Sequence, residues 1–316
     1  MLGTVVQQIF NALTIGAIYA LIALGYTMVY GVLRMINFAH GEMFMLGAYA
    51  AFAGLALLAP GLGGLGAFVL ALAFFAAVLV VGGVGVGIEK LAYKPLRASS
   101  RLAPMLSSLG VSLVLQTAIQ ILAGPQPQAF PSFFPNLRIE LLGGSITTVQ
   151  IGIILAAVLL MLALNTLVNR TRMGVLVRAV SESRATAQLL GINVNGAISL
   201  IFFLGPVLGA AGGILYSSYY GIMTPTMGVV VGLKAFTAAI LGGIGSIPGA
   251  MLGGFLLAAI EVAGTAILPA VTNGVIGSEY RDVFAFAVLI AVLLFRPAGI
   301  LGQPVSEETM VYKREF

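Results

Sequence analysis

The sequence predicts an all-α fold, a polytopic integral membrane helix bundle of about nine segments with its N-terminus outside and its C-terminus inside. Three observations predict it. Hydrophobic residues make up 60% of the 316 and charged residues only 8%, whereas a soluble domain carries about 25% charged residues. Apolar runs recur along the chain at about the 20-residue length a helix needs to cross hydrocarbon. The basic residues between those runs collect on alternate loops.

The apolar runs lie at 6–31, 36–58, 64–88, 103–123, 147–168, 196–219, 228–244, 247–268 and 281–296. The seventh and ninth are short enough to be tilted, broken or re-entrant. The opening MLGTVVQQIF has no basic region of the kind that precedes a cleavable signal, so the first run is expected to be retained. Arg34, Lys90, Lys94, Arg97, Arg101, Arg170, Arg172, Arg178, Arg184, Arg296, Lys313 and Arg314 fall in loops of one parity. Arg138 and Arg281 fall in the other, and Lys234 lies within a run. The positive-inside rule makes the first set cytosolic, and an odd number of crossings satisfies it. Tryptophan is absent, so an interfacial aromatic belt has to use Tyr and Phe.

Residues 1–316 read as a single transmembrane domain with two distinctive connections. The outer loop 124–146, GPQPQAFPSFFPNLRIELLGGSI, combines Pro-containing turns with aromatic residues. The cytosolic segment 169–195, NRTRMGVLVRAVSESRATAQLLGINVN, contains a short helix expected over 182–190. Ser181 is its candidate N-cap, with Glu182 in a first turn that favours negative charge and Gly191 as a left-handed stop. So short a helix is marginal in water and needs a surface to pack on. Val180, Ala187 and Leu190 are its expected buried side, with Glu182 and Arg184 available for contacts at the rim; Ser183 belongs to the same segment.

Glycine is abundant, at 41 residues, and sits inside the runs as well as between them. Small residues at four-residue spacing mark helix contact faces in lipid. Gly245, Gly249 and Gly253 form such a stripe, with Gly242 and Gly254 beside it.

The chemistry the chain lacks narrows its function. No G-x-x-x-x-G-K-[ST] occurs, so ATP is not hydrolysed here in the P-loop manner. There is no cysteine and only one histidine, which leaves no ligand set for zinc. Asp282 is the sole aspartate, which excludes a paired-aspartate protease. A Ser–His dyad would need His40 with a serine such as Ser246, without the G-x-S-x-G turn that exposes such a nucleophile. No catalytic residue and no cofactor are expected in the chain.

Ionisable groups inside the runs are His40, Glu42, Lys234 and Glu261; each is costly in lipid and marks a bundle interior, a pathway or a partner. Lys234 and Glu261 lie about 9 and 10 Å from the outer ends of adjacent antiparallel runs. Equal depth suggests an ion pair, which serves as a bundle staple or lines a pathway; a lysine that snorkels outward is the third reading. In RMINFAHGEMFMLGAYAAF, residues 34–52, Arg34 sits at the cytosolic surface and a run starts near residue 37. Asn37 is the candidate N-cap, and Gly41 allows close packing or a broken backbone. Asn37, His40 and Glu42 are placed to satisfy the free N–H groups of a helix start or to line an inner gate. Direct solute contact and proton handling are the other readings of that pair.

Three stretches carry a resemblance. NFAHGEMFMLGAYA (37–50), RAVSESRATAQLLGINVN (178–195) and KAFTAAILGGIGSIPGAMLGG (234–254) closely resemble, in order and spacing, permeases of branched-chain amino acid ABC transporters of the LivH type. The resemblance implies a subunit of an importer in a bacterial or archaeal cytoplasmic membrane. It implies as partners a second, LivM-like permease, two cytosolic ATPases (LivG- and LivF-like) that bind ATP and Mg, and an extracytoplasmic solute-binding protein. It implies that residues 181–191 are a coupling helix seated on an ATPase, and that the binding protein docks over loops 124–146 and 269–280. Relatives of similar motif carry urea or short amides, so the solute class stays open at this point. A secondary transporter would need in-membrane coupling carboxylates, for which only Glu42 and Glu261 could serve; a passive channel would need no capped cytosolic helix.

Overall fold

A computed structural model of the chain describes residues 2–60, 66–97, 99–100, 102–134, 136–272 and 280–302. Arg101, Lys313, Arg314 and most of the 269–280 loop lie outside the described residues. Each apolar run becomes a helix: α1 (Leu2–Leu33), α2 (His40–Leu58), α3 (Ala67–Ile88), α4 (Leu102–Ala123), α5 (Thr148–Arg170), α8 (Val194–Tyr220), α9 (Met227–Gly242), α10 (Ile247–Val271) and α11 (Arg281–Phe295). Two short helices, α6 (Arg172–Glu182) and α7 (Arg184–Leu189), lie between α5 and α8. Among the described residues seven helices are long and apolar enough to cross a membrane, and α9 and the apolar part of α11 are shorter.

The fold is mostly helical, and the 124–146 loop adds short strands to it. β2 (Arg138–Leu141) and β3 (Gly144–Thr147) form an antiparallel hairpin. Its turn residues, Leu142 and Gly143, both have positive φ, at 52° and 79°, as tight hairpin turns that match strand twist require. β1 (Gln128–Ala129) pairs with β4 (Ile222–Met223) just after α8. The Ser145 N–H donates to Gln7 Oε1 at 2.9 Å, fixing the hairpin over the start of α1. The opposite end of α1 carries α7, since Arg184 donates to the Val32 carbonyl at 2.8 Å. The bundle therefore has a hairpin end and a basic end.

Helix α1 is the axis. Of its most apolar stretch 83% is buried, against 11% for α4, and it packs on α5, α8, α9 and α10. The exposed faces of α3, α4 and α5 are leucine- and valine-rich, including Leu79, Val80, Leu109, Leu113, Leu159 and Leu162. Water would not tolerate so continuous an apolar belt, and hydrocarbon does.

Close approach of backbones holds the core. A Cβ on Gly254 would overlap the Ala20 backbone, one on Gly213 the Phe44 carbonyl, and one on Gly47 the backbone of Ala210. In lipid no hydrophobic drive pulls helices together, so such packing supplies the association energy. Pro206 inside α8 leaves the Phe202 carbonyl without its helical donor, and Gly85 of α3 fits against that carbonyl.

The glycine stripe needs a correction. Gly249 and Gly253 do face Gly242 across the α9–α10 contact, where a Cβ on any of the three would meet backbone. Gly245 belongs instead to the turn between the helices, with φ of 95° and open space beside it. The turn needs a left-handed residue, and that need, rather than packing, explains this glycine.

Gly242→Ala is expected to lower stability by about 1–3 kcal/mol, because backbone cannot move aside as a side chain can. Gly83→Ala, where a Cβ would meet nothing within 4 Å, should be neutral or stabilising by up to about 1 kcal/mol. Thermal unfolding in detergent measures both, and equal losses would sink the packing argument.

Candidate functional site

The polar residues singled out by the sequence fall in three places. The first is the start of α2. Arg34 closes α1 with a positive φ of 54°, and its N–H donates to the Tyr30 carbonyl at 2.8 Å. The chain then turns back inward, so that His40 lies beside Gly25, about 12 Å short of the basic end of α1. Helix α2 thus begins inside the bundle.

Asn37 is not its cap. Ala39 holds that position without a side-chain bond, and Asn37 Oδ1 accepts the Tyr93 hydroxyl at 2.6 Å instead. The Phe38 N–H donates to Ser108 Oγ at 3.2 Å, and the His40 N–H reaches the Asn37 carbonyl at 3.2 Å. The break is therefore satisfied by hydroxyl groups from α4 and the end of α3, which a sequence window around residue 37 does not contain.

His40 and Glu42 are not brought together. Two residues apart on a helix of 3.6 residues per turn, they point to roughly opposite sides. The His40 ring packs edge-on to Tyr26 at 4.6 Å and against Gly25 and Gly209. The Ile22 carbonyl interacts with it, but no bond of normal geometry forms to either ring nitrogen. Glu42 Oε1 accepts the Ser112 hydroxyl at 2.9 Å, while Oε2 is buried against Gly228. No dyad exists here; the two side chains wedge separate helix contacts.

The second cluster lies nearer the hairpin end. Lys234 Nζ is 3.1 Å from Glu261 Oε1 and 2.6 Å from Asp282 Oδ1. The Tyr19 hydroxyl donates to Glu261 Oε2 at 3.0 Å. Lys234 and Glu261 are buried, whereas the Asp282 side chain is 40% exposed. Sequence reasoning paired the first two by depth and missed the third. Its signal was available: Asp282 opens α11 at the same end of the bundle.

The third cluster is the 169–195 segment, where the cap and helix bounds need correction. α6 is capped by Thr171, whose side chain accepts from the Gly174 N–H at 3.2 Å, and ends at Glu182. Ser183, not Ser181, caps α7, accepting the Thr186 N–H at 3.2 Å. Ser181 Oγ donates to the Arg178 carbonyl at 2.7 Å. SES offers two serines, and the extended backbone that a cap requires falls on the second, with φ −151° and ψ 113°. Glu182 therefore closes one helix rather than opening the next.

Val180 and Ala187 are buried within the chain itself. Leu190 is 74% exposed and Leu189 88% exposed, because α7 has ended and Leu190 sits in the turn that Gly191 completes with φ of 76°. Arg184 is no rim residue, since it holds the Val32 carbonyl. Burial, and then the nearby Arg97 guanidinium, push its own guanidinium below the usual range.

One buried carboxylate escaped sequence reasoning. Glu89, at the end of α3, pairs with Arg97 and accepts the Ser199 hydroxyl of α8 at 2.9 Å. Arg97 also donates to Asn195 at 2.7 Å. An IEK triplet at a helix end ordinarily faces water, and the helix that covers it comes about a hundred residues later.

Lys234→Met is expected to cost about 3–5 kcal/mol by leaving carboxylates buried without their counter-charge, and adding Glu261→Gln with Asp282→Asn should recover most of it. Folded yield and thermal unfolding in detergent check this; a single variant as stable as the parent would refute it. Ser183→Ala should cost about 1 kcal/mol locally and speed amide exchange over 184–189. Ser181→Ala should leave that exchange unchanged, and the reverse pattern would return the cap to Ser181.

The family model described as branched-chain amino acid transport system / permease component matches residues 8–293. The chain is 45% identical over 307 residues to the high-affinity branched-chain amino acid transport system permease protein BraD of Pseudomonas aeruginosa, covering 96% of this chain and 97% of that one. It is 44% identical over 306 residues to the corresponding LivH protein of Escherichia coli K12, with the same coverage. A probable LivH permease of Methanocaldococcus jannaschii is 31% identical over 305 residues, covering 92% of this chain and 91% of that one. With its apolar bundle matched from near the first residue to α11, the chain belongs to the family of branched-chain amino acid transport permease components.

Proposed function

We propose that this chain is a membrane-spanning permease subunit of an ATP-driven importer that brings branched-chain amino acids into the cytoplasm. The observation that carries the reading is the match over residues 8–293, together with relatives of that printed function at 44–45% identity over 96% of the chain. The chain does not itself supply the energy, since it has no P-loop. ATP and Mg belong to separate cytosolic ATPases.

In this reading all nine apolar helices serve as membrane segments of a cytoplasmic-membrane protein, with the hairpin end outward and the basic end inward, as the charge bias favours. The hairpin end offers folded backbone, β1–β4 and β2–β3, for a solute-binding protein to rest on. The basic end offers α6 and α7, with Leu189 and Leu190 exposed beside them. A short helix anchored on α1 through Arg184, with one bare leucine at its end and another in the turn after it, suits a groove in an ATPase. A second permease completes the pathway.

Removing the gene from its host should abolish high-affinity uptake of radiolabelled leucine, isoleucine and valine, and the restored gene should return it. The tagged chain should bring down two ATPases and a second permease. Transport of leucine by this chain alone in liposomes would refute the importer reading.

A further inference from the structure

We propose that a cavity of about 210 Å³ beside α1, floored by Lys234, Glu261 and Asp282, is a holding site for one zwitterionic amino acid in transit through the bundle. The proposal rests on the import reading above and adds to it the place and the groups that recognise the solute.

Its shape follows from helix periodicity. Gln8, Asn11, Ile15 and Tyr19 all line it, and their spacing of three and four residues puts them on one face of α1. From Gln8 to Tyr19 the wall descends about 16 Å into the bundle. At its upper end Asn11, Tyr219 and Tyr220 also line a second cavity of about 470 Å³. That one lies under the hairpin, among Gln7, Arg138 and Gln150, so the two form one route from the hairpin end to the charged floor. On the far side of the floor the packing closes: Thr237, Leu257, Ala285 and Phe286 leave no water-sized space among the described residues.

The chemistry of the floor selects for two opposite charges on one small molecule. A bare cation meets the Lys234 ammonium, and a bare anion meets two carboxylates. A zwitterion satisfies both, its ammonium taken by Asp282 and Glu261 and its carboxylate by Lys234. Asp282 is the reachable acid, since its side chain is 40% exposed while Lys234 and Glu261 are 7% and 5% exposed. A staple sealed from solution would need only one acid for one lysine; here a second converges on it, facing the cavity.

Tyrosines supply the rest. Tyr216 and Tyr220 stand 4.4 Å apart between ring centres, and Tyr219 and Tyr220 5.0 Å. Their faces accommodate an aliphatic side chain or an ammonium equally well. The volume corresponds to about seven waters at liquid density, which suits one branched-chain amino acid.

The chain has no cysteine, so a single introduced thiol reports alone. The test takes the complete importer in nanodiscs, without its solute-binding protein, and places the thiol at the cavity wall with Thr265→Cys. Maleimide modification of this chain, read as a mass change, should slow about tenfold at a leucine concentration ten times its dissociation constant. Isoamylamine, which lacks the carboxylate, and isocaproate, which lacks the ammonium, should give no protection. Asp282→Asn should abolish protection by leucine while the ATPases remain bound.

Equal protection by either analogue, undiminished protection in Asp282→Asn, or none in a complex that imports leucine overturns the holding site. A complete importer that takes up no leucine, even with its loaded binding protein, overturns the import reading instead. If Thr265→Cys does not assemble, equilibrium binding of tritiated leucine to the unmodified complex, competed by the same two analogues, answers the same question.

Discussion

A backbone amide inside a bilayer has no water to turn to, and this constraint governs the molecule. It explains why the apolar runs become helices, and also why departures from helix occur only where other helices can answer for them. The inward start of α2 shows the rule at work. Its freed groups are met by Ser108 and by local carbonyls, while Asn37 is held by Tyr93. The break survives because α1, α3, α4 and α8 surround it.

The same constraint shapes the charged groups. In water Lys234 and Glu261 would gain little from pairing. Buried, each depends on the other, on Tyr19 and on Asp282. Glu89 and Arg97 repeat the arrangement at the basic end, tying the end of α3 to the start of α8. Polar side chains in this bundle therefore join helices that lie far apart in sequence, and the two charged clusters mark its two ends.

The helices were legible in the sequence because a lipid-facing run of about 20 apolar residues has few alternatives to helix. The pairing of Lys234 with Glu261 was legible for a similar reason, since depth in a straight helix can be counted. Choices between near neighbours were not. Ser181 and Ser183 are equivalent in composition, and only the path of the chain decides which adopts the extended conformation. Asn37 looked like a cap until the distant Tyr93 claimed its oxygen. The ladders of the 124–146 loop were hidden because β1 finds its partner after α8, about ninety residues away. Local pattern specifies elements, and long-range contact decides what their ends do.

The α9–α10 contact has a mechanical consequence. Gly242, Gly249 and Gly253 bring the two backbones together, and Gly254 seats the pair on α1. Lys234 and Glu261 ride on that welded unit, but Asp282 rides on α11, a short arm resting against it. The number of acids around the lysine is therefore a matter of where one arm lies. Where α11 rests now, the ammonium lies between two counter-ions. Ala285 of α11 is itself buried in the core, with Leu289 and Val292 packed against it, so apolar packing as well as charge holds the second acid beside the lysine.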